Sequence, residues 1–229
     1  MYSMMLSAVM EDYLKAIYQL QQEGDGERVR TSAVAEYLNV TPPTVTSMLS
    51  KFEERELVER EKYKGVTLTT DGKRVALEVI RHHRLLEAYL TEHLDFTWSE
   101  VHDEADRLEH HISETFEERV VAMLEDPTVD PHGAPIPNAD LELPADPVGA
   151  ALAECNEDAV YEVHEVSDRD SEILEYLSEG GINPGVSLTV EEVAPFGMVT
   201  VRTEDGKQVS LPQNVARYVR VAPTMEASQ

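Results

Sequence analysis

Residues 41–69, TPPTVTSMLSKFEERELVEREKYKGVTLT, decide how the rest of the chain is read. Thr41 is placed to cap a helix with Pro42 at its first position, where a missing N–H costs nothing. Val45, Met48, Leu49 and Phe52 recur at helical spacing and give that helix one apolar face. Leu57 to Arg60 and Val66 to Thr69 read as two strands around a Lys64-Gly65 turn. Upstream, Met10, Tyr13, Leu14, Ile17 and Tyr18 form another helical stripe, which Gly24 and Gly26 end. Thr31 or Ser32 is positioned to cap a short second helix with Val34, Ala35 and Leu38 inward, and Asn39-Val40 turns into the third. Three helices and a hairpin in this order describe a winged helix-turn-helix over residues 1–74.

The third helix is the element that would read DNA. Thr41 and Pro43 open it, and Thr44, Thr46 and Ser47 put short hydroxyl side chains at the end that enters a major groove. Lys51 lies one turn further along. Lys62 and Lys64 sit on the wing, placed for phosphate or minor-groove contact. Winged helices also mediate protein contacts, and the local basic excess is small: residues 28–74 carry nine Lys and Arg against seven Asp and Glu.

Downstream, Thr70 or Asp71 starts a helix that runs to about Leu94, with Val75, Val79, Ile80, Leu86, Tyr89 and Leu90 apolar. A further helix is expected from about Ser99 to Leu124. Residues 126–147 hold six of the twelve prolines, a density that excludes helix and sheet interiors and marks an ordered loop plus linker. From Ala159 the chain turns to short β runs, YEVHEV, SLTVEEV, MVTVRT, KQVSL and YVRV, interrupted by a helix around Asp170–Leu177. The expected architecture is α+β and multidomain: the winged helix over 1–74, a helical domain over 75–143, a linker over 144–158 and a small β-barrel over 159–222.

Composition narrows the function classes. No apolar run approaches membrane-spanning length and no signal-peptide pattern opens the sequence, so a cytoplasmic protein is expected. A single cysteine, Cys155, excludes an intrachain disulfide framework and a CxxC zinc knuckle. The net charge of −26 is hostile to a polyanion such as DNA, yet its distribution is uneven. Residues 1–74 carry ten basic against twelve acidic residues, whereas 75–229 carry nine against thirty-three. Almost all the acid therefore lies away from the segment that would touch DNA. It is read as the solvating surface of a halophilic protein from a molar-salt cytoplasm, where repulsion is screened.

The stretch VHDEADRLEHHIS, residues 101–113, places His102, Asp106, Glu109 and His110 at spacings of four, three and one. On one continuous helix these would share a broad face, which thus holds two imidazoles and two carboxylates where Leu and Val are usual. His83 and Glu87 form a second i, i+4 pair on the preceding helix. Two antiparallel helices would bring His83, Glu87 and His102 together, with Asp106, Glu109 and His110 one or two turns on. Imidazole with carboxylate suits borderline-hard divalent metals. The competing reading is that the acids are solvated and the histidine pairs incidental.

The order winged helix, HxxxE helix, VHDEA and EHHIS strings, PHGAPIP loop and terminal β-barrel resembles the diphtheria-toxin-repressor family of metal-dependent regulators. HHRLLE and DPHGAPIP are further specific strings, and the resemblance spans essentially the whole chain. With the acidic composition it points to a haloarchaeal member. The resemblance implies a homodimer built on the helical domain, a double-stranded DNA operator and Mn2+ or Fe2+ as effector. It implies a primary site of Asp12, Asp106, Glu109 and His110, with a backbone carbonyl or water. It also implies an ancillary site of His83, Glu87 and His102, completed by Asp170, or next Glu172, from a barrel of SH3-like, iron-transport accessory type. Two departures stand out. The iron-responsive branch uses sulfur in the primary site, where Asp12 and Asp106 offer oxygen. The manganese-responsive branch has an acid where this chain has Lys15, and a cation there disfavours a paired-metal site.

The expected function is therefore a metal-gated repressor and not an enzyme. A metalloenzyme reading needs a nucleophile or general-base motif, and none is legible. A metal-independent winged-helix regulator is the other alternative, and metal titration separates it. Salt is expected to be required for folding, because the Debye length grows to ~30 Å at 0.01 M and leaves the acidic surface unscreened. Thermal melts at about 0.1 M and about 2 M KCl check this: the midpoint should rise with salt, and equal midpoints contradict the salt-adapted reading.

Overall fold

The computed structural model describes residues 6–24, 28–61, 64–98, 100–144, 149–168, 171–195 and 197–224. Lys62 and Asp170, both expected to be functional, lie outside the described residues. The chain divides into two compact units. One gathers Met1–His83 with Glu109–Ile112 and Pro137–Glu142; the other gathers Arg84–Leu108, Ser113–Ile136 and Leu143–Gln229.

The first unit holds α1 (Ala8–Glu23), α2 (Thr31–Tyr37), α3 (Pro42–Glu54), the hairpin strands β1 (Val58–Glu61) and β2 (Gly65–Leu68), and the start of α4 (Thr70–Leu94). Leu14 and Ile17 of α1, Val34 of α2, Val45, Leu49 and Phe52 of α3 and Val66 of β2 are fully buried. The wing is antiparallel, from Val58 opposite Leu68 to Glu61 opposite Gly65. It is pinned at its turn because Val66 also bridges to Val29, and a Cβ on Gly65 (φ +115°) would fall 2.3 Å from the Val29 carbonyl oxygen. This is the winged helix-turn-helix read from residues 41–69.

The caps differ in detail from expectation. Arg30, not Thr31 or Ser32, occupies the cap position of α2, and no side chain bonds there. Thr41 is at the cap position of α3, but its hydroxyl meets the Thr44 hydroxyl at 2.8 Å instead of a backbone N–H. At the start of α4 the hydroxyl that accepts from a backbone N–H, that of Gly72 at 3.1 Å, belongs to Thr69. The cap thus lies one residue before Thr70, and Gly72 is pressed so close to Leu57 that a Cβ would lie 2.0 Å from the Leu57 carbonyl oxygen.

In the second unit the helix expected over 99–124 is two helices, α5 (Val101–Leu108) and α6 (Glu114–Met123). Ser113 causes the restart: its hydroxyl accepts from the Phe116 N–H at 3.2 Å and Glu114 follows in the first turn, a favourable N-terminus. The intervening Glu109–Ile112 packs with the first unit, so the assumed shared helix face does not exist. Leu85 of α4, Val120 of α6, Leu124 and Ile136 make a small core.

The rest of this unit is the β-rich, SH3-like domain. Its antiparallel sheet runs β3-β8-β4-β5-β6-β7, from β3 (Ala150–Ala151), β4 (Ala159–Val166), β5 (Ser187–Ala194), β6 (Met198–Thr203), β7 (Gln208–Pro212) and β8 (Val219–Pro223). The helix α7 (Ser171–Glu179) buries Leu174 and Leu177 in the core, and the short α8 (Gln213–Ala216) buries Ala216. Bulges at Val163/Glu165 and Val190/Glu192 bend β4 and β5. Residues 144–158, expected as linker, in part belong to this domain. Ala150 and Ala151 pair with β8, and Leu152 of the following 3-10 turn is fully buried. Burial of such a side chain contributes roughly 1.5–3 kcal/mol, enough to hold the segment on the sheet. No helix among the described residues is long and apolar enough to cross a membrane.

Candidate metal centres and nucleic-acid interface

In the first unit α1 meets the turn that follows α5. His110 Nδ1 lies 2.7 Å from Glu11 Oε2, and its Nε2 lies 2.8 Å from Asp12 Oδ1. Glu109, at 1% exposure, turns Oε1 to within 3.4 Å of His110 Nε2. On its other side Glu109 Oε2 is 2.6 Å from His83 Nδ1 and 2.8 Å from the Lys15 ammonium. The His82 ring reaches the Glu109 backbone carbonyl at 3.1 Å. Asp12, Glu109 and His110 each offer a ligand atom within 4.8 Å of the others. Adjacent positions on α1 explain Glu11 and Asp12: one carboxylate for each ring nitrogen of His110. Asp106 is on α5 in the second unit, 49% exposed, 3.6 Å from His102 Nε2.

The second unit builds its own cluster around Glu87 of α4, which is 0% exposed. Its Oε1 is 3.3 Å from His102 Nδ1 and its Oε2 is 3.5 Å from His132 Nδ1. Asp168, just after β4, comes within 3.5 Å of His102 Nδ1. Asp130 and His132 are held by the DPHGAPIP loop. Asp130 Oδ1 accepts from the N–H groups of His132 and Ala134 at 2.8 and 2.9 Å, while Oδ2 faces Arg84 Nε at 3.6 Å. The loop is anchored three times: Arg84 donates to the Pro135 carbonyl, Trp98 to the Pro131 carbonyl, and Val166 N–H to the His132 carbonyl. Gly133 (φ +85°) lies so close to β4 that a Cβ would sit 1.8 Å from the His164 carbonyl oxygen, which forbids a side chain there.

Among the described residues, buried Asp130 Oδ2 and His132 Nδ1 find only long ion-pair contacts, to Arg84 at 3.6 Å and Glu87 at 3.5 Å. Such atoms cost stability unless something satisfies them, and two carboxylates with an imidazole suit a divalent ion. Glu87, His102 and Asp168 form one group of the right reach, and Glu87, Asp130 and His132 another. Burial and the charge of Glu87 push the Asp130 carboxyl up to about 7. Sequence reading missed Asp130, His132, Asp168 and Glu11. The Pro- and Gly-dense DPHG segment was the available signal for the first two, since a compact loop fixes side chains near its anchor points. Of the other expected residues, Glu172 is exposed on α7.

On α3 the outward face is open. Thr41, Pro43, Thr44, Thr46, Ser47 and Lys51 are all exposed, while Val45, Leu49 and Phe52 are buried behind them. Thr46 donates back to the Pro42 carbonyl at 3.0 Å. Lys64 on the wing is exposed and pairs with Glu61 at 2.5 Å. Arg60 on β1 stands beside α3, 3.1 Å from Glu53, and is a basic group the sequence reading passed over.

Comparison with known proteins finds matches along most of the chain. Residues 5–66 match the model of the iron-dependent repressor N-terminal DNA-binding domain, and residues 69–138 that of the iron-dependent repressor metal-binding and dimerisation domain. Residues 150–223 match the FeoA domain. The iron-dependent repressor IdeR of Mycobacterium leprae is 34% identical over 223 residues, covering 92% of this chain and 95% of that one. The chain belongs to the iron-dependent repressor family. The diphtheria toxin repressor of Corynebacterium diphtheriae is 31% identical over 220 residues, with 92% and 95% covered. Among solved structures, a manganese-dependent transcriptional repressor in complex with manganese superposes with a TM-score of 0.86 at 37% identity, covering 93% of this chain and 99% of the other. The ScaR structure with bound Cd2+ gives 0.81 at 32%, with 93% and 99% covered. The protein is thus a metal-dependent transcriptional repressor with DNA-binding, metal-binding and dimerisation domains. This family consists of repressors, not enzymes, so the metallohydrolase and metal-independent alternatives fall.

The His110 site carries a pH signature. Burial alone would lower its pKa, but the bonds to Asp12 and Glu11 and the charge of Glu109 raise it to about 10. A metal must take the electron pair that this proton holds, so metal binding here releases a proton. A histidine raised on folding lends stability that is complete below its unfolded value and is lost as pH climbs through its folded value. Metal-free protein is therefore expected to lose melting temperature between about pH 6 and about pH 10. His110→Gln should lack that component. An identical loss in both proteins contradicts the assignment.

Proposed function

We propose that the repressor is gated by Mn2+ or Fe2+ through two unequal sites. One ion is held by Asp12, Glu109 and His110, with Asp106 as a fourth ligand on the family resemblance alone. The other is held around Glu87, with His102 and Asp168 and the loop residues Asp130 and His132 as donors; the resemblance adds His83, one turn before Glu87 on α4. Asp168 stands beside His102, and Asp170, expected there, lies outside the described residues. The observation that carries the reading is the His110 ring held between two carboxylates of α1. It ties the first helix of the winged helix-turn-helix to the turn between α5 and α6. Asp12, Glu109 and His110 would hold the ion, whose Lewis acidity would draw these side chains of α1 and of that turn together. Its donors are oxygen and one imidazole, a set that suits Mn2+ and Fe2+ better than thiolate-seeking metals.

The DNA partner is a double-stranded operator, read by Thr41, Pro43, Thr44, Thr46, Ser47 and Lys51 of α3, with Lys62 and Lys64 of the wing on phosphate. The protein acts as a homodimer. In support, Leu94, Phe116 and Met123, at the end of α4 and along α6, are large apolar side chains exposed on the chain. With the ion bound, the two recognition helices of the dimer would be held near the spacing of one DNA turn, roughly 34 Å. Without metal the reading heads sample other arrangements, and DNA binding must overcome that ordering cost. The repressor is cytoplasmic, and its acidic surface is an adaptation to salt.

A gel-shift titration with Mn2+, Fe2+ and Zn2+ in high KCl tests this. His110→Ala is expected to abolish metal-dependent operator binding while the dimer stays folded. His102→Ala is expected to weaken activation without abolishing it. Unchanged metal dependence in His110→Ala overturns the site, and equal severity of the two variants overturns their ranking.

A further inference from the structure

A cation of the chain itself stands inside the first metal-ligand group. Lys15 Nζ lies 2.8 and 3.1 Å from the two oxygens of Glu109 and 3.3 Å from His83 Nδ1. Lys15 follows Asp12 by three residues on α1, so it rises one turn along the same helix face. The two side chains grip opposite sides of one buried carboxylate: Asp12 acts through His110, and Lys15 acts directly. This is not an exposed surface pair, since Glu109 is 1% and Lys15 13% exposed.

A second divalent ion in this group would use the far side of Glu109 together with His83. Ions that share a bridging carboxylate sit about 3.5–4 Å apart. The ammonium already fills that slot, bonded to the same oxygens and facing the same imidazole. Exchanging lysine for glutamate would remove two units of positive charge, the charge of one divalent ion. We infer that Lys15 is an internal cation standing in for a second metal ion: it closes α1 onto Glu109 and His83 in the absence of metal and leaves Asp12, Glu109 and His110 for a single divalent ion. This deepens the metal reading proposed above and rests on it.

Two consequences are measurable without DNA. Equilibrium dialysis of the full-length protein against Mn2+ counts ions per chain, and electron paramagnetic resonance detects spin coupling between neighbouring Mn2+ ions. The unmodified protein should show no coupled pair. Lys15→Glu should take up one more ion per chain and show a coupled spectrum. Lys15→Gln, which keeps the length and loses the charge, should melt lower than the unmodified protein when metal-free and regain the loss on Mn2+ addition. A coupled pair in the unmodified protein overturns the inference. So does an unchanged count in Lys15→Glu, or an unchanged metal-free melt in Lys15→Gln. His110→Ala separates the two levels. If it binds as many ions as the unmodified protein, the metal assignment itself fails. If it loses an ion while Lys15→Glu gains none, only the role of Lys15 fails.

Discussion

A buried carboxylate must be matched by positive charge, and that requirement organises both units. Glu109 in the first and Glu87 in the second are essentially inaccessible to water. Leaving either charged and unmatched would cost several kcal/mol. The first is met by Lys15, His83 and His110, and the second by His102 and His132. These are makeshift partners. Each histidine matches charge only while it carries a proton, and a divalent ion supplies two charges without one. A divalent ion at either cluster would therefore take the place of histidine protons beside a carboxylate that the fold has already paired.

The elements that hold these carboxylates also carry the DNA-reading apparatus. Asp12, Glu11 and Lys15 belong to α1, whose inner face packs under α3 through Tyr13 against Phe52, with ring centroids 6.5 Å apart. What fixes α1 therefore steadies α3 and its open face of hydroxyls. In the second unit the DPHGAPIP loop has the corresponding position: it holds Asp130 and His132 towards α4 and is bonded to β4 through His132 and Val166. The SH3-like domain thus touches the Glu87 cluster by backbone as well as through Asp168.

The winged helix was legible because its signals are local: Pro42 at a helix start, a period of 3.6 in residues 45–52 and a Lys-Gly turn. Glu109 and His110 were legible from their spacing with His102 and Asp106, whereas Asp12 came through family resemblance, since its separation from them in sequence exceeds any helical period. The assumption of one long metal-bearing helix failed at Ser113, although a serine followed by glutamate is a cap signal in plain view. Asp168 was not singled out because Asp168, Asp170 and Glu172 follow one another closely, and sequence cannot register such acids against a distant histidine. Asp130 and His132 were not singled out because proline density marks an ordered loop plus linker without saying which side chains the loop holds in place. In fact Gly133 and the three carbonyl anchors make that loop one of the tightest contacts in its unit. The first turn of the SH3-like domain was missed for a related reason: a two-residue strand has no period to detect.

Amide hydrogen exchange with and without Mn2+ tests the central claim most directly, because it reports local opening residue by residue. If a metal bridges α1 to the turn after α5, residues 8–23 and 109–112 should both exchange more slowly when Mn2+ is bound. The slowing should vanish together in both segments when His110 is replaced. Protection confined to the Glu87 cluster, with α1 and residues 109–112 unchanged by metal, would contradict it.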